Sequence, residues 1–352
     1  MNLTRFLTIL LCCSYLIFAK CELLTMATVG LLTAGASYFS YQTYKNIEFC
    51  RPPFVDPDLG KLDTLLKYQL YGQHIAYSTV LSALKGHIYS VDPPKALAMS
   101  FHGGPGTGKN YVAELIVQSF FQNGTRSKFY YHYNGRNDFP LEERVPQYKD
   151  ELVKNITHAL SVCENSIFVF DEVDKMPAGV LNVLVPFLDY GTYAKNPNPS
   201  YFSSSKVYKK KAIFIFLSNT GSRNITKKII GYWEKGFVRQ NLKLSHFENL
   251  VTQGAFNEKG GFYRSDTILS SVIDHYVPFL PLEEEHVRKC IKRAFAERQY
   301  NPSEEDILEV LTHVTFDPPP HNLYSKSGCK RIDSKINLII YRSHYQNKEI
   351  TR

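Results

Sequence analysis

Apolar residues occur along this chain as short continuous runs, and stretches with helical periodicity separate the runs. Four of the runs, at residues 96–101, 128–134, 166–175 and 211–220, read ALAMSF, KFYYHYN, SIFVFDEVDK and KAIFIFLSNT. Such runs are typical of buried parallel strands, whereas stretch 111–121 repeats apolar residues every three to four positions and is typical of a helix. Strands that alternate with helices predict an α/β fold, with a parallel sheet covered by helices.

The pattern changes after the segment VPFLPL at residues 277–282, which we interpret as a proline-punctuated hinge. Three stretches beyond it, at 283–299, 303–314 and 329–345, each carry one apolar helical face. The last part of the chain is therefore expected to form a small α-helical domain.

The N-terminus has the features of a secretory signal peptide. One positive charge precedes an apolar run from Phe6 to Phe18, and cleavage is expected after Cys21. A second apolar stretch, residues 23–41, is open to three interpretations: a weak transmembrane helix, a helix in one leaflet, or a buried core helix. We favour membrane association, because this stretch has hardly any polar face. We place the signal peptide at 1–21, the membrane-associating segment at 22–42 and the proline-rich linker at 43–60. The large α/β domain follows at 61–276 and the helical domain at 277–352.

Charge does not identify a partner class. The 352 residues include 41 Lys and Arg against 33 Asp and Glu, a formal charge of +8, which suits nucleic acid or anionic lipid. The densest basic run, KVYKKK at 206–211, is more typical of a solvated loop. The signal peptide argues against a nucleic-acid partner, and so do three glycosylation sequons, at Asn123, Asn155 and Asn224.

Cysteine usage agrees with an oxidising compartment. Of the seven cysteines, three lie in the signal peptide, which leaves Cys50, Cys163, Cys290 and Cys329. Four cysteines permit two disulfides, in any of three connectivities.

The first candidate for chemistry is the segment GGPGTGKN at 103–110, which has the pattern G-x-x-x-x-G-K. Backbone N–H groups of a glycine-rich loop at a helix N-terminus converge on phosphate oxygens, and Lys109 would reach the β- and γ-phosphates. The next position usually holds Ser or Thr for Mg²⁺, but here it is Asn110, whose amide oxygen could contact the ion or leave the gap to a water. The expected ATP-binding residues are Gly103, Gly104, Pro105, Gly106, Thr107, Gly108, Lys109 and Asn110.

Two later strand-like runs end in further polar residues. Asp171 and Glu172 follow the buried run IFVF. Asp171 would hold Mg²⁺ through water, and Glu172 would polarise the water that attacks the γ-phosphate. Asn219 follows the run IFIFL and could orient the same water. The order of these elements predicts an ATPase that uses ATP and Mg²⁺.

These motifs, followed by a helical domain after a hinge, resemble the AAA+ ATPases. The chain is most similar to the torsins, AAA+ proteins of the endoplasmic reticulum lumen related to the Clp/Hsp100 branch. The torsin-like segments are GGPGTGKN at 103–110, FDEVDK at 170–175, SN at 218–219, FLPL at 279–282 and GCK at 328–330. The segment LYGQH at 70–74 resembles the adenine-pocket segment of the Clp branch, which implies that Gly72 and Gln73 contact the base.

The resemblance implies roles for residues of the helical lid. Lys330 would act as sensor 2, close to the γ-phosphate, beside a redox-active pair formed by Cys290 and Cys329. A cation lowers the pKa of a neighbouring thiol, which suits this role. Cys290 also lies on an apolar helix face, so a purely structural place in the core is the alternative. The resemblance leaves Cys50 and Cys163 as a structural disulfide.

The resemblance also implies a partner. Clp-type relatives carry an arginine just before the hinge that reaches the γ-phosphate of a neighbouring subunit, but residues 271–274 read SVID, and Arg264 is the one local alternative. An arginine finger contributes roughly 10³ to 10⁵ in rate, so the chain alone should be nearly idle. Torsins take this arginine from transmembrane activators with AAA-like luminal domains, and we expect the same partner class here.

Two functions stay open. The first is a membrane-associated ATPase of the endoplasmic reticulum and nuclear-envelope lumen that remodels proteins or membranes, and we expect it to form a homo-oligomer. Residues 133–140 (YNGRNDFP) lack the aromatic-glycine pore loop of unfoldases, so substrate threading is not expected. The second is an assembly switch, in which bound ATP controls oligomerisation and hydrolysis is incidental.

Overall fold

The computed structural model describes residues 47–190 and 210–350, with side chains up to Arg342. The signal peptide, the apolar stretch 23–41 and most of the basic run 206–211 lie outside the described residues. Residues Cys50–Arg352 form one compact unit, to which the following description applies. Among the described residues, no helix is both long enough and apolar enough to cross a membrane.

A five-stranded sheet forms the centre of the large domain, in the order β2-β3-β4-β1-β5. Its strands are β1 (Leu97–Gly103), β2 (Tyr130–Asn134), β3 (Ile167–Asp171), β4 (Ile213–Ser218) and β5 (His275–Phe279). All neighbouring strands are parallel, so their carboxyl ends lie at one edge of the sheet. The predicted α/β fold with a parallel sheet is therefore confirmed.

Strand β5 corrects the interpretation of the hinge. Residues 277–282 were expected to connect two domains, but the structure pairs His275–Phe279 with β1, in the register Met99↔His275 to Gly103↔Phe279. Pro278 lies within this strand, which is tolerated because an edge strand leaves one side without ladder hydrogen bonds. The sheet therefore continues to Phe279, and the connection to the lid begins after it rather than after residue 276.

Helices cover both faces of the sheet. They are α1 (Leu59–Gln69), α2 (His74–Ile88), α3 (Lys109–Phe120), α4 (Val145–Val162), α5 (Val185–Leu188), α6 (Ser222–Glu234), α7 (Glu248–Asn257) and α8 (Asp266–Leu269). Successive residues of β3 belong to two cores: Phe168 belongs to the one that contains side chains of α4 and α7, whereas Val169 belongs to the one that contains side chains of α1, α2 and α3. Because both faces are buried, the strand has the continuous apolar sequence of a central parallel strand.

The proline-rich segment before α1 is part of the folded domain rather than a free linker. Cys50 forms a disulfide with Cys163, which directly follows α4. Val55 is buried and forms an isolated bridge with Phe121 at the end of α3. The expected linker at 43–60 is therefore packed against the large domain from Cys50 onward.

The lid is helical, as the apolar faces predicted. It contains α9 (Glu284–Glu297), α10 (Glu304–Thr312) and α11 (Ile332–Ile350), with a small hairpin of β6 (Phe316–Asp317) and β7 (Tyr324–Ser325) between the last two helices. The lid has a core of its own, in which Val287, Ile291 and Phe295 of α9 pack against Val310 and Ile336.

Candidate functional site

Glycines allow the loop between β1 and α3 to approach the lid and the end of β5. Gly106 has a φ of 70°, and a Cβ atom there would lie 1.9 Å from the carbonyl oxygen of Ser327 in the lid. A Cβ atom on Gly103 would lie 2.4 Å from the carbonyl oxygen of Phe279. The backbone N–H of Cys329 donates to the carbonyl of Gly106, at 3.0 Å. The lid therefore rests directly on this glycine-rich loop, residues 103–110, which we call the phosphate loop.

Lys109 is buried and folds back onto the loop that precedes it. Its Nζ donates to the carbonyl oxygens of Gly103 and Gly104, both at 2.8 Å, and to Oδ1 of Asn219, at 3.1 Å. Burial lowers the pKa of Lys109 to about 8; nearby Asp174 and Asp171 oppose this effect, and Lys330 adds to it. Two elements separated by more than a hundred residues, the loop lysine and the strand-end amide, thus meet at one edge of the sheet.

Asn110 is oriented toward the first carboxylate of the β3 motif. Its Nδ2 donates to Oδ2 of Asp171 at 2.7 Å, and the backbone N–H of Glu172 donates to Oδ1 of the same side chain at 2.7 Å. The amide nitrogen, rather than the amide oxygen, therefore faces the carboxylate. Asp171 supplies hard oxygen atoms beside the phosphate loop, which suits a Mg²⁺ ion held by one carboxylate, waters and substrate phosphates. The residues present fit such an ion.

Glu172 is held by a side chain that the sequence did not single out. Its Oε2 accepts a hydrogen bond from Nε of Arg136, at 2.6 Å. Arg136 belongs to the loop after β2, and Gly135 brings that loop close, because a Cβ atom there would lie 2.3 Å from the carbonyl oxygen of Glu172. Glu172 itself has a φ of 51°. The proposed catalytic carboxylate is thus paired with an arginine of its own chain.

Asn219 is positioned by Asp174. Its backbone N–H and its Nδ2 both donate to Oδ1 of Asp174, at 3.0 and 3.2 Å. Burial raises the pKa of Asp174, but hydrogen bonds from Asn219 and Lys175 outweigh it, so the pKa lies below its usual value. Asp174 is part of the FDEVDK segment, but sequence reasoning gave it no role of its own.

A buried histidine connects the phosphate loop to the same region. His102, just before the loop, lies with Nε2 2.7 Å from Oγ of Ser100 and with Nδ1 3.0 Å from Oγ1 of Thr220. Burial lowers the pKa of His102 to about 3, so its ring is neutral. Thr220 directly follows Asn219, and His102 therefore couples β1 to the loop that carries the amide. No sequence signal marked this residue.

These groups line a cavity of about 470 Å³ between the large domain and the lid, within the range of small-molecule sites. Pro105 to Asn110, Asp171, Glu172 and Asn219 line it, together with Lys330 from the lid. Its walls also include Leu70, Tyr71, Tyr111, Leu282, Arg293, Ala294 and Ile332. Gly103 and Gly104 lie in the base of the loop and do not line this cavity.

The expected base contacts are placed differently. The cavity is lined by Leu70 and Tyr71 rather than by Gly72 and Gln73. Gln73 is buried, and its Nε2 donates to the carbonyls of Thr107 and Leu280, while its Oε1 accepts from the N–H of Leu280. Its amide is thus used to fix the phosphate loop to the start of the hinge.

Comparison with known proteins supports the same architecture. A family model described as Torsin matches residues 44–170, and one described as Torsin-1A, C-terminal domain, matches residues 282–339. A torsin-like protein of Caenorhabditis elegans is 37% identical over 343 residues, which cover 94% of this chain and 94% of the relative. A torsin-like protein of Drosophila melanogaster is 36% identical over 345 residues, 94% of this chain and 97% of the relative. The chain belongs to the torsin family.

Solved structures place this torsin-family chain in the AAA+ fold. It is similar to Saccharomyces cerevisiae Hsp104 in its ADP complex, with a TM-score of 0.58 and 18% identity, over 83% of this chain and 48% of that one. A closed-state Hsp104 structure with ATPγS and casein gives a TM-score of 0.54. The chain thus spans about half the length of these Hsp104 chains. At this identity the likeness concerns the fold, and it agrees with a Clp/Hsp100 relation.

The lid of this torsin-family chain carries the two cysteines expected beside sensor 2. Cys290 and Cys329 form a disulfide, and both line the cavity next to Lys330. The structure also contains the other disulfide that the resemblance implies, between Cys50 and Cys163.

The remaining predicted positions lie on the surface. Arg264 is exposed and stacks on the ring of Tyr263, with Cζ 5.2 Å from the ring centroid, and it does not line the cavity. The sequon residues Asn123, Asn155 and Asn224 are all exposed, the latter two on α4 and α6.

Proposed function

We propose that this chain is an ATPase that binds ATP and Mg²⁺ in the cavity between its large domain and its lid. The observation that carries the proposal is that the loop lysine, two carboxylates and the strand-end amide, which are far apart in sequence, line one cavity together with Lys330 of the lid. This arrangement offers cations and backbone N–H groups for phosphates and carboxylates for a hydrated metal ion.

Each residue then has a distinct part in the reaction. Lys109 leaves the carbonyls of its own loop to contact the β- and γ-phosphates. Asp171, fixed by Asn110 and by the N–H of Glu172, would hold Mg²⁺, and the bound ion would supply positive charge beside the phosphates. Glu172 polarises the attacking water, and Asn219, fixed by Asp174, orients it. Lys330 completes the phosphate contacts from the lid.

We further propose that hydrolysis needs a partner. Among the described residues, the one arginine that lines the cavity is Arg293, which lies beside Tyr111 and Gln69 rather than at the phosphate loop. The segment 271–274 lacks an arginine, and Val272 and Ile273 within it are buried. A transmembrane activator with an AAA-like luminal domain would supply the arginine, as family membership suggests. The pairing of Arg136 with Glu172 agrees with low intrinsic turnover.

The site of action that we propose is the lumen of the endoplasmic reticulum and nuclear envelope. The N-terminal sequence pattern, the exposed sequons and the two disulfides support a secretory compartment, since disulfides persist in oxidising surroundings. There the chain would act as a membrane-associated homo-oligomer that remodels proteins or membranes. An assembly switch is the second candidate, because a base held by Arg136 suits a protein that binds ATP but rarely hydrolyses it.

The test is ATP turnover of the mature chain, with and without the luminal domain of an activator. We expect near-zero turnover alone, a strong rise with the partner, and loss of the rise when the partner's arginine is replaced. Glu172→Gln should bind ATP and partner but not turn over, and Lys109→Ala should lose ATP binding. Glu151→Gln, an exposed change on α4, is the control.

The outcomes separate the candidates. Bound ATP with no turnover in any mixture would favour the assembly switch. If Glu172→Gln turned over ATP as well as wild type does, Glu172 would not be the base and the assigned site would be wrong.

A further inference from the structure

Arg293 connects the lid to both elements of the large domain that flank the cavity. It lies on α9 and lines the cavity wall. Its Cζ lies 4.6 Å from the centroid of the Tyr111 ring, near the start of α3. Its Nη1 donates to the carbonyl oxygen of Gln69, the last residue of α1, at 3.0 Å. One lid side chain therefore contacts two large-domain helices at once.

The two large-domain residues are also joined to each other. The hydroxyl of Tyr111 donates to Oε1 of Gln69, so each of the three residues contacts the other two, with Arg293 reaching Gln69 through its backbone carbonyl. Nε of Arg293 is held by Glu297, one turn further along α9, at 2.9 Å. A guanidinium is planar and carries five N–H donors, so it can stack on a ring and donate to a carbonyl at the same time. Each contact fixes the orientation of the others.

Arg288 shows that these contacts are not a general property of arginines on α9. It has nearly the same exposure, 28% against 29%, and the same pairing with a glutamate four residues away. Its partners, Glu284 and Glu304, both belong to the lid, and it does not line the cavity. The difference between the two arginines is therefore the contact of Arg293 with the large domain.

We propose that Arg293, Tyr111 and Gln69 form a clasp that closes the lid over a bound purine nucleotide and slows its release. The proposal rests on the function proposed above, that this cavity binds ATP. Arg293, Tyr111 and Gln69 line the same cavity as the phosphate loop and Lys330, and in the proposal the base and ribose lie beside them. Separation of the lid from α1 and α3 would break both contacts of Arg293.

The clasp predicts an effect on release rather than on capture. Association begins with an open lid, in which the contacts are not yet made, whereas dissociation must break them. Loss of a cation–π contact and of a charge-assisted hydrogen bond should raise the dissociation rate roughly tenfold or more. The association rate should change by less than about twofold, because most affinity differences between variants lie in dissociation.

The experiment uses the mature chain with Glu172→Gln, so that hydrolysis does not interfere. A fluorescent N-methylanthraniloyl-ATP is bound and then chased with excess ATP in a stopped-flow instrument. We expect faster release with Arg293→Ala, an intermediate rate with Arg293→Lys, which keeps the charge but not the planar fork, and no change with Arg288→Ala. Tyr111→Leu should resemble Arg293→Ala, whereas Tyr111→Phe keeps the ring and should have a smaller effect.

Failure of the clasp is distinguishable from failure of the proposed function. Absence of binding to the Glu172→Gln chain, under conditions in which it is folded, would remove the function and the clasp together. Tight binding with equal release rates for Arg293→Ala and Arg288→Ala would overturn the clasp alone. If Arg293→Ala did not fold, as shown by its thermal melt, the rates of Arg293→Lys and Tyr111→Leu would decide the question in the same way.

Discussion

The pairing of Arg136 with Glu172 makes a quantitative prediction about basal activity. In this structure the carboxylate accepts from Nε of Arg136 at 2.6 Å, so the proposed base is already engaged by a side chain of its own chain. If hydrolysis requires Glu172 to leave this pair, Arg136→Ala should raise turnover in the absence of a partner.

The exposure of the pair limits the size of the effect. The two side chains are 61% and 30% exposed, and exposed ion pairs contribute at most about 1 kcal/mol. Removing that cost from the barrier raises a rate about fivefold, since about 1.4 kcal/mol corresponds to tenfold. An arginine finger supplies roughly 10³ to 10⁵, so Arg136→Ala should not replace the partner. We therefore expect a rise of about three- to fivefold, and a relative activation by the partner that is smaller by the same factor.

The assay is steady-state phosphate release by the mature chain, alone and with an activator's luminal domain. Arg144→Ala is the matched control, since Arg144 is exposed in the same region and pairs with Gln147 rather than with the site. Arg136→Lys, which keeps a positive charge, should fall between wild type and Arg136→Ala. A decrease in turnover with Arg136→Ala would refute the reasoning, because it would mean that Arg136 holds Glu172 in its productive position.

Three further predictions concern the loop lysine, the loop–lid contact and a disulfide. Burial lowers the pKa of Lys109 to about 8, so its positive charge is lost as the pH rises through that value. ATP affinity measured by fluorescence titration should therefore fall by up to about tenfold per pH unit above pH 8. Constant affinity in a still-folded protein would contradict this. Gly106→Ala would place a Cβ atom 1.9 Å from the carbonyl oxygen of Ser327. A thermal melt should therefore show destabilisation on the order of 2 kcal/mol, and ATP should bind more weakly. An unchanged melt would mean that the lid does not rest on the loop. The Cys50–Cys163 bond joins residues 113 apart in sequence, so Cys50→Ser should cost on the order of 4 kcal/mol in denaturant unfolding, and adding Cys163→Ser should cost little more.

The parts of the fold that could be predicted from sequence are those set by local pattern. A central parallel strand needs apolar residues on both faces, so β1, β3 and β4 are visible as apolar runs. The phosphate loop is visible because glycine is required where the backbone meets the lid, as at Gly106. The lid helices are visible because each presents one apolar face to a small separate core.

The parts that could not be predicted depend on tertiary contacts between distant segments. The proline within β5 made the strand look like a hinge, and only its pairing with β1 shows that it lies at the edge of the sheet. Gln73 was expected to contact the adenine base, but its amide donates to the carbonyls of Thr107 and Leu280. Leu280 lies more than two hundred residues after Gln73 in the sequence. Arg136 and Arg293 belong to ordinary polar patterns, and nothing local separates Arg293 from Arg288.

The position of Asn110 could be predicted from the loop motif, but its role depends on a tertiary contact with Asp171. A threonine at this position would offer a hydroxyl oxygen to a metal ion. The amide of Asn110 has both an acceptor and donors, and here its Nδ2 donates to Oδ2 of Asp171 while the N–H of Glu172 donates to Oδ1. The carboxylate is thus fixed from the loop side and from the strand side, and Asn110 orients the carboxylate that would hold Mg²⁺. With one carboxylate from the protein, Mg²⁺ would take its other oxygen ligands from waters and from the nucleotide phosphates. We infer that metal and nucleotide bind to this site together, since the site as we assign it offers the ion one carboxylate, that of Asp171.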